Sequence, residues 1–120
     1  MIEITPQNSN IDEFALKVFM KTIEIIQPRK LIQLRYLTWL PSLITASFVV
    51  VLHYENQKTS EQIAKELGIA TSTVKNILQA DENLVKEKLE ENLNEKDETK
   101  RTHVAGALAK LAYHELKMTQ

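Results

Sequence analysis

The chain has 120 residues, no cysteine, two glycines and three prolines, with a formal net charge of −1 at pH 7. This length suits one domain, and the richness in Ala, Leu, Ile, Lys and Glu predicts a mostly helical fold. The absence of cysteine excludes disulfides, thiolate metal sites and a cysteine nucleophile, and it is typical of a cytoplasmic protein. The longest nearly apolar run, 43–52, is about half the ~20 residues that a membrane-spanning helix needs, so we expect no membrane partner.

Charge is distributed unevenly along the chain. The segment 81–98 carries eight acidic residues against three lysines, whereas 28–57, 58–80 and 99–120 each carry a small positive excess. A nucleic-acid-binding protein needs a positive face rather than a positive total, so the net charge does not exclude that function. We interpret the acidic segment as a solvated helix face, with masking of a DNA-binding surface as the alternative.

The N-terminal third of the chain predicts two helices. Residues 1–9 are expected to form a loose arm. Apolar residues then recur at helical spacing from Ile11 to Ile26, after Ser9 or Asn10 as the cap. Pro28 ends this helix, and a shorter one is expected from Arg29 to Leu40.

The rest of the chain predicts further helices and no two-stranded wing. The third, Ser42–Tyr54, is apolar on nearly every side and should be central to the core. A charged helix is expected at Asp81–Asp97, then a polar break at 98–102. The last helix, His103–Met118, carries an apolar stripe at Val104, Leu108, Leu111, Ala112 and Leu116.

The stretch from Thr59 to Gln79 has the pattern of a helix-turn-helix, with helices expected at Ser60–Leu67 and Ser72–Ala80. Thr59 can cap the first helix, and Gln62 can close a capping box with it. Ala64 is small where the two helices cross, and Gly68 can adopt the left-handed conformation that ends the first helix. Thr71 can cap the second helix.

The second helix of this motif has a polar outer face opposite the apolar face of Val74, Ile77 and Leu78. Its side-chain types suit the major groove of DNA: lysine reaches guanine or phosphate, Asn and Gln pair with adenine, and hydroxyls serve either. The candidate DNA-binding residues are Thr59, Thr71, Ser72, Thr73, Lys75, Asn76 and Gln79.

From Leu40-Pro41 to Gln79 the sequence resembles region four of bacterial sigma factors and the helix-turn-helix of LuxR-type regulators. Both families have a leucine-proline pair and a long apolar helix before the motif, and then segments similar to IAKELGI and TVKN. The resemblance implies that the polar residues from Thr71 to Gln79 face DNA. It departs at Ala70, where these families have Ser or Thr as the cap, so Thr71 is expected to take that role. In size and in this core, the chain is also similar to small archaeal regulators encoded beside KaiC-like ATPases.

We therefore expect one all-α domain, 1–120, of six or seven helices. Its N-terminal helices (1–40) and C-terminal helices (81–120) would surround a tri-helical core at 41–80. The predicted function is a transcriptional regulator that binds double-stranded DNA as a homodimer. The N-terminal helix, the C-terminal helix or both would form the interface, with the C-terminal helix slightly favoured. The alternative is an adaptor whose helix-turn-helix docks a protein, such as a signalling ATPase or the transcription machinery.

No residues in the sequence suggest catalysis. His53, His103 and His114 lack metal-ligand spacing, and no glycine-rich phosphate loop, nucleophile motif or acid–base pair is present. We accordingly expect neither a metal nor a cofactor, and no enzymatic activity.

Overall fold

A computed structural model describes residues 6–33, 39–83 and 98–118 of the chain. They form six helices: α1 Pro6–Ile26, α2 Pro28–Gln33, α3 Leu40–Asn56, α4 Ser60–Leu67, α5 Thr71–Leu78 and α6 Glu98–Met118. This described part contains no β-strand, and the predicted all-α fold is confirmed. None of these helices is long and apolar enough to cross a membrane.

The third helix is the centre of the fold, as its apolar sequence predicted. Its buried residues are Leu43, Ala46, Ser47, Val49, Val50, Val51 and Leu52. Since a helix without a polar face has to be surrounded, α3 packs against both α1 and α6. The buried hydroxyl of Ser47 donates a hydrogen bond to the carbonyl oxygen of Leu43 at 2.7 Å, which satisfies it.

The first helix begins at Pro6 rather than at Ile11, so the prediction of a loose arm is wrong for residues 6–9. Proline suits the first turn because its φ is already helical and its missing N–H has no partner there. The helix ends at Gln27, which adopts a left-handed conformation (φ 81°). The Gln27 N–H donates to the carbonyl oxygen of Ile23 at 2.8 Å, and Pro28 then begins α2.

The last helix is continuous from Glu98 to Met118, so the predicted polar break at 98–102 is wrong. That segment contains no glycine or proline to interrupt a helix, and an acidic residue at a helix start is favourable. The helix is buried on almost all sides, at Val104, Ala105, Ala107, Leu108, Ala109, Leu111, Ala112 and Tyr113. Its apolar stripe is therefore covered within one chain and cannot meet a second copy without unpacking.

Polar contacts fasten the C-terminal half of α6. The Tyr113 hydroxyl donates to Oε2 of Glu55 at 2.5 Å, and Nζ of Lys117 lies 3.2 Å from the same oxygen. Burial, followed by this carboxylate, raises the pKa of Tyr113 above its usual range. Nδ1 of His114 lies 2.9 Å from both carboxylate oxygens of Glu82. These contacts join α6 to the end of α3 and to the chain just after α5.

Several predictions fall outside the described residues. They are the end of the predicted Arg29–Leu40 helix, at 34–38, and most of the charged Asp81–Asp97 helix, at 84–97, where the absence of a wing was also expected. The third helix starts at Leu40, two residues before the predicted start at Ser42.

Candidate nucleic-acid interface

Local sequence signals define both ends of α4. The hydroxyl oxygen of Thr59 accepts from the Gln62 N–H at 3.2 Å, and Oε1 of Gln62 accepts from the Thr59 N–H at 2.9 Å. The predicted capping box is thereby confirmed. At the other end, Gly68 is left-handed (φ 72°) and its N–H donates to the carbonyl oxygen of Ala64 at 2.9 Å. The sequence also predicted this glycine conformation.

The start of α5 differs from the prediction. Ala70 occupies the N-cap position in an extended conformation (φ −71°, ψ 143°), and no side chain caps the helix. Its carbonyl oxygen accepts the N–H groups of Thr73 and Val74 at 3.1 and 3.2 Å. Thr71 is the first helical residue, so the prediction that Thr71 replaces the missing cap is wrong. Helix α5 thus begins at Thr71, one residue before the predicted start at Ser72.

The outer face of α5 is narrower than the sequence suggested. Val74 and Ile77 are buried, whereas Ser72, Lys75 and Gln79 are exposed. At 100° per residue these three side chains lie within about 60° of arc, so they form one polar stripe along the helix. Thr71 is half-buried beside this stripe.

Asn76 and Thr73 lie on the flank of α5 that faces α6. Oδ1 of Asn76 is 3.2 Å from Nδ1 of His103, and both side chains are half-buried. Thr73 and Thr102 line one cavity of about 270 Å³ at the start of α3. The structure thus separates the predicted set into an exposed stripe and a flank. Thr59 lies apart from both, at the start of α4.

The C-terminal helix fixes the position of α5, a role that the sequence analysis did not predict. An added Cβ on Gly106 would lie 2.6 Å from the carbonyl oxygen of Ile77, so the two backbones are in close contact. Nζ of Lys110 donates to the carbonyl oxygens of Leu78 and Ala80 at 2.7 and 2.9 Å. The one sequence signal was an isolated glycine within an apolar helix, which often marks close packing.

The positively charged residues on and next to α4 and α5 are lysines. Lys75 is exposed and makes no ion pair with another described residue, whereas Lys58 pairs with Glu66 at 2.5 Å. Lys65 is also exposed, on α4. Within the described ranges no three His, Asp or Glu side chains are grouped so that they could hold a metal ion.

Helices α3, α4 and α5 together define a tri-helical helix-turn-helix, in which α5 has the position of a recognition helix. Residues 46–80 match the family model of sigma-70 region 4, which confirms the predicted similarity for this segment and indicates a helix-turn-helix of the DNA-binding type. The match covers less than a third of the chain and leaves α1, α2 and α6 unassigned. Comparison with curated proteins and with solved structures gave no match. The similarities to LuxR-type and archaeal regulators remain predictions.

Proposed function

We propose that this protein is a transcriptional regulator that inserts α5 into the major groove of double-stranded DNA. The observation that carries the proposal is the exposed stripe of Ser72, Lys75 and Gln79 on the second helix of a sigma region 4-like motif. The buried Val74 and Ile77 hold the opposite face of α5 in the core, so the stripe points away from the protein. As part of the same proposal, the protein binds DNA and catalyses no reaction.

Within the stripe, the three side chains have different chemical roles. Gln79 can form paired hydrogen bonds with adenine, and the Ser72 hydroxyl can contact a base or a phosphate. Lys75 is a mobile point charge that suits guanine acceptors or phosphate. Asn76 becomes a weaker candidate for a contact with a base, because its side-chain oxygen is already in contact with His103.

The salt dependence of binding to random duplex DNA tests the proposal. Each phosphate contact contributes about −0.9 to the slope of log affinity against log salt concentration. If Lys75 contacts a phosphate, Lys75→Gln should flatten that slope by about this amount. The matched control is Lys17→Gln, since Lys17 is an exposed lysine on α1. A full-length protein that shows no salt-dependent binding at low salt would exclude the proposal.

Base contacts require a second measurement, on a duplex selected by the protein from a random pool. Gln79→Ala should weaken binding to the selected duplex by about 1–3 kcal/mol and leave binding to random duplex nearly unchanged. Equal losses on both duplexes would show that Gln79 contacts the backbone rather than a base.

The adaptor function is the competing proposal, and an apolar groove supports it. The groove has a volume of about 270 Å³ and is lined by Ile44, Thr45, Phe48, Leu67 and Ile69. A protein side chain could occupy it without any contact from α5. The same titration separates the two functions, because an adaptor that does not bind DNA gives no salt-dependent signal.

We also propose a homodimer, since one helix-turn-helix reads few base pairs and paired recognition helices about 34 Å apart read more. With the α6 stripe buried, the best remaining interface is on α1, where Leu16 and Met20 are 51% and 54% exposed. Light scattering at tens of micromolar tests this. Leu16→Glu combined with Met20→Glu should give a monomer, and a monomeric wild-type protein would exclude the dimer.

A further inference from the structure

The flank of α5 continues onto α6 without a gap. Going around α5 from the exposed stripe, Ser72 is followed by Asn76, and Asn76 contacts His103 through Oδ1 and Nδ1 at 3.2 Å. Thr102 and Thr73 line the same cavity, and Gly106 closely approaches Ile77 one turn further along both helices. Helix α6 therefore runs beside α5 in the same direction, with His103 next to the stripe.

The size of the major groove determines where such a neighbouring helix must lie. The groove is about 12 Å wide and an α-helix with its side chains is about 10–12 Å across, so one helix fills it. If α5 occupies the groove, α6 cannot enter beside it. The part of α6 that adjoins the stripe instead comes to the edge of the groove, where the phosphates lie.

We infer that His103 is a DNA-contacting residue outside the helix-turn-helix, whose Nε2 binds a backbone phosphate at the edge of the groove that α5 fills. The inference rests on the proposed function. It extends the DNA-binding surface beyond residues 46–80, the segment similar to sigma-70 region 4, to a helix that this similarity does not cover.

The chemistry of the imidazole ring supports this role. When Nδ1–H donates to Oδ1 of Asn76, Nε2 makes no hydrogen bond to another described residue. In that arrangement Nε2 carries a proton only on the doubly protonated ring, so the contact with phosphate is charge-assisted and takes up a proton. Asn76 thus orients the ring, and the phosphate binds its other side.

Among the described residues, no negative charge opposes an anion beside His103. The only charged side chain of α5 is Lys75, and the first half of α3 has none. Along α6 itself the charged residues nearest in sequence are Glu98, Lys100, Arg101 and Lys110, of which Lys110 is bound to the end of α5. No carboxylate among the described residues pairs with His103 to compete with a phosphate.

The test is a salt titration of full-length protein on a random-sequence 30-base-pair duplex (about three helical turns) at two pH values. Histidine changes its charge between about pH 5 and 8. In the wild-type protein the slope should be steeper at the lower pH by about 0.9, the contribution of one phosphate contact. His103→Gln should abolish this difference and weaken binding at the lower pH by about tenfold or more, the range for a hydrogen bond between charged groups.

Two further variants make the result specific. His103→Arg keeps a positive charge at both pH values and should give the steep slope at each. His53→Gln, on α3, should keep the wild-type difference, as its Nδ1 contacts the carbonyl oxygen of Lys58.

The remaining outcomes separate the inference from the function on which it rests. If the wild-type protein binds the duplex and Lys75→Gln weakens it, but His103→Gln retains the pH-dependent slope, the inference is wrong and the function stands. If the wild-type protein does not bind the duplex at either pH, both are wrong.

Discussion

Helices α4 and α5 have eight residues each, and they depend on different parts of the chain. Helix α4 has a capping box at Thr59 and a left-handed glycine at Gly68, both within one residue of its ends. Helix α5 has no side-chain cap at its start, and its C-terminal carbonyl groups accept hydrogen bonds from Lys110, about thirty positions later in the sequence.

This difference shows that the two halves of the motif are specified at different levels. An isolated helix of this length is marginal in water, so each needs additional support. Both helices pack in the core, but the ends of α4 are held by neighbouring residues, whereas the end of α5 is held by α6. Changes on α6 should therefore loosen the recognition helix more than α4.

The largest effect is expected from Gly106→Val. The new Cβ would lie 2.6 Å from the carbonyl oxygen and 2.8 Å from the Cα of Ile77, so backbone must shift. Overpacking of this kind should lower the free energy of unfolding by about 3 kcal/mol, measured by denaturant titration.

Gly106→Ala distinguishes the steric clash from helix propensity, because the two predict changes in stability of opposite sign. Helix propensity alone predicts that alanine would stabilise α6 by about 1 kcal/mol. We expect destabilisation instead, since the Cβ itself causes the clash. A more stable Gly106→Ala protein would contradict the close approach of α5 and α6.

Lys110→Met should have the next largest effect. Methionine keeps most of the apolar stem and removes the ammonium group that binds the carbonyl oxygens of Leu78 and Ala80 at 2.7 and 2.9 Å. Loss of charge-assisted hydrogen bonds should cost about 2 kcal/mol. Hydrogen exchange locates the effect: amides of α5 should exchange faster than those of α4. Equal acceleration in both helices would show that α6 does not support α5 selectively.

The features set by neighbouring residues could be predicted from the sequence, whereas the contacts between distant residues could not. The capping box at Thr59, the left-handed Gly68 and the bounds Ser60–Leu67 follow from local rules, and each was predicted. Likewise, the apolar sequence of α3 identified it as the central helix. The contact between Asn76 and His103 joins residues 27 positions apart in the sequence, and no local pattern contains that information. The same holds for Lys110 and for the burial of α6 within one chain.

Gly68→Val tests the local signal that ends α4. Because Gly68 has a φ of 72° and an added Cβ would meet no atom within 4 Å, the cost should come from backbone conformation alone. A β-branched residue in the left-handed region should lose on the order of 1–2 kcal/mol of stability. Denaturant titration checks the value. A much larger loss of stability would indicate a steric clash and would contradict the open space around Gly68.

The smallest effect is expected from Ala70→Ser, and it has the opposite sign. Ala70 already has the extended conformation of an N-cap residue, but its side chain cannot accept a hydrogen bond from the first turn of α5. A serine hydroxyl at this place should stabilise the protein by about 1 kcal/mol, the usual value of a cap. Thr71→Ala is the matched control. If Thr71 were the cap, this substitution would lower the stability by a similar amount. Because Thr71 is the first helical residue instead, a smaller loss of stability is expected. Thermal unfolding of both variants measures the difference, and a gain for Ala70→Ser would show that α5 lacks the local support that α4 has.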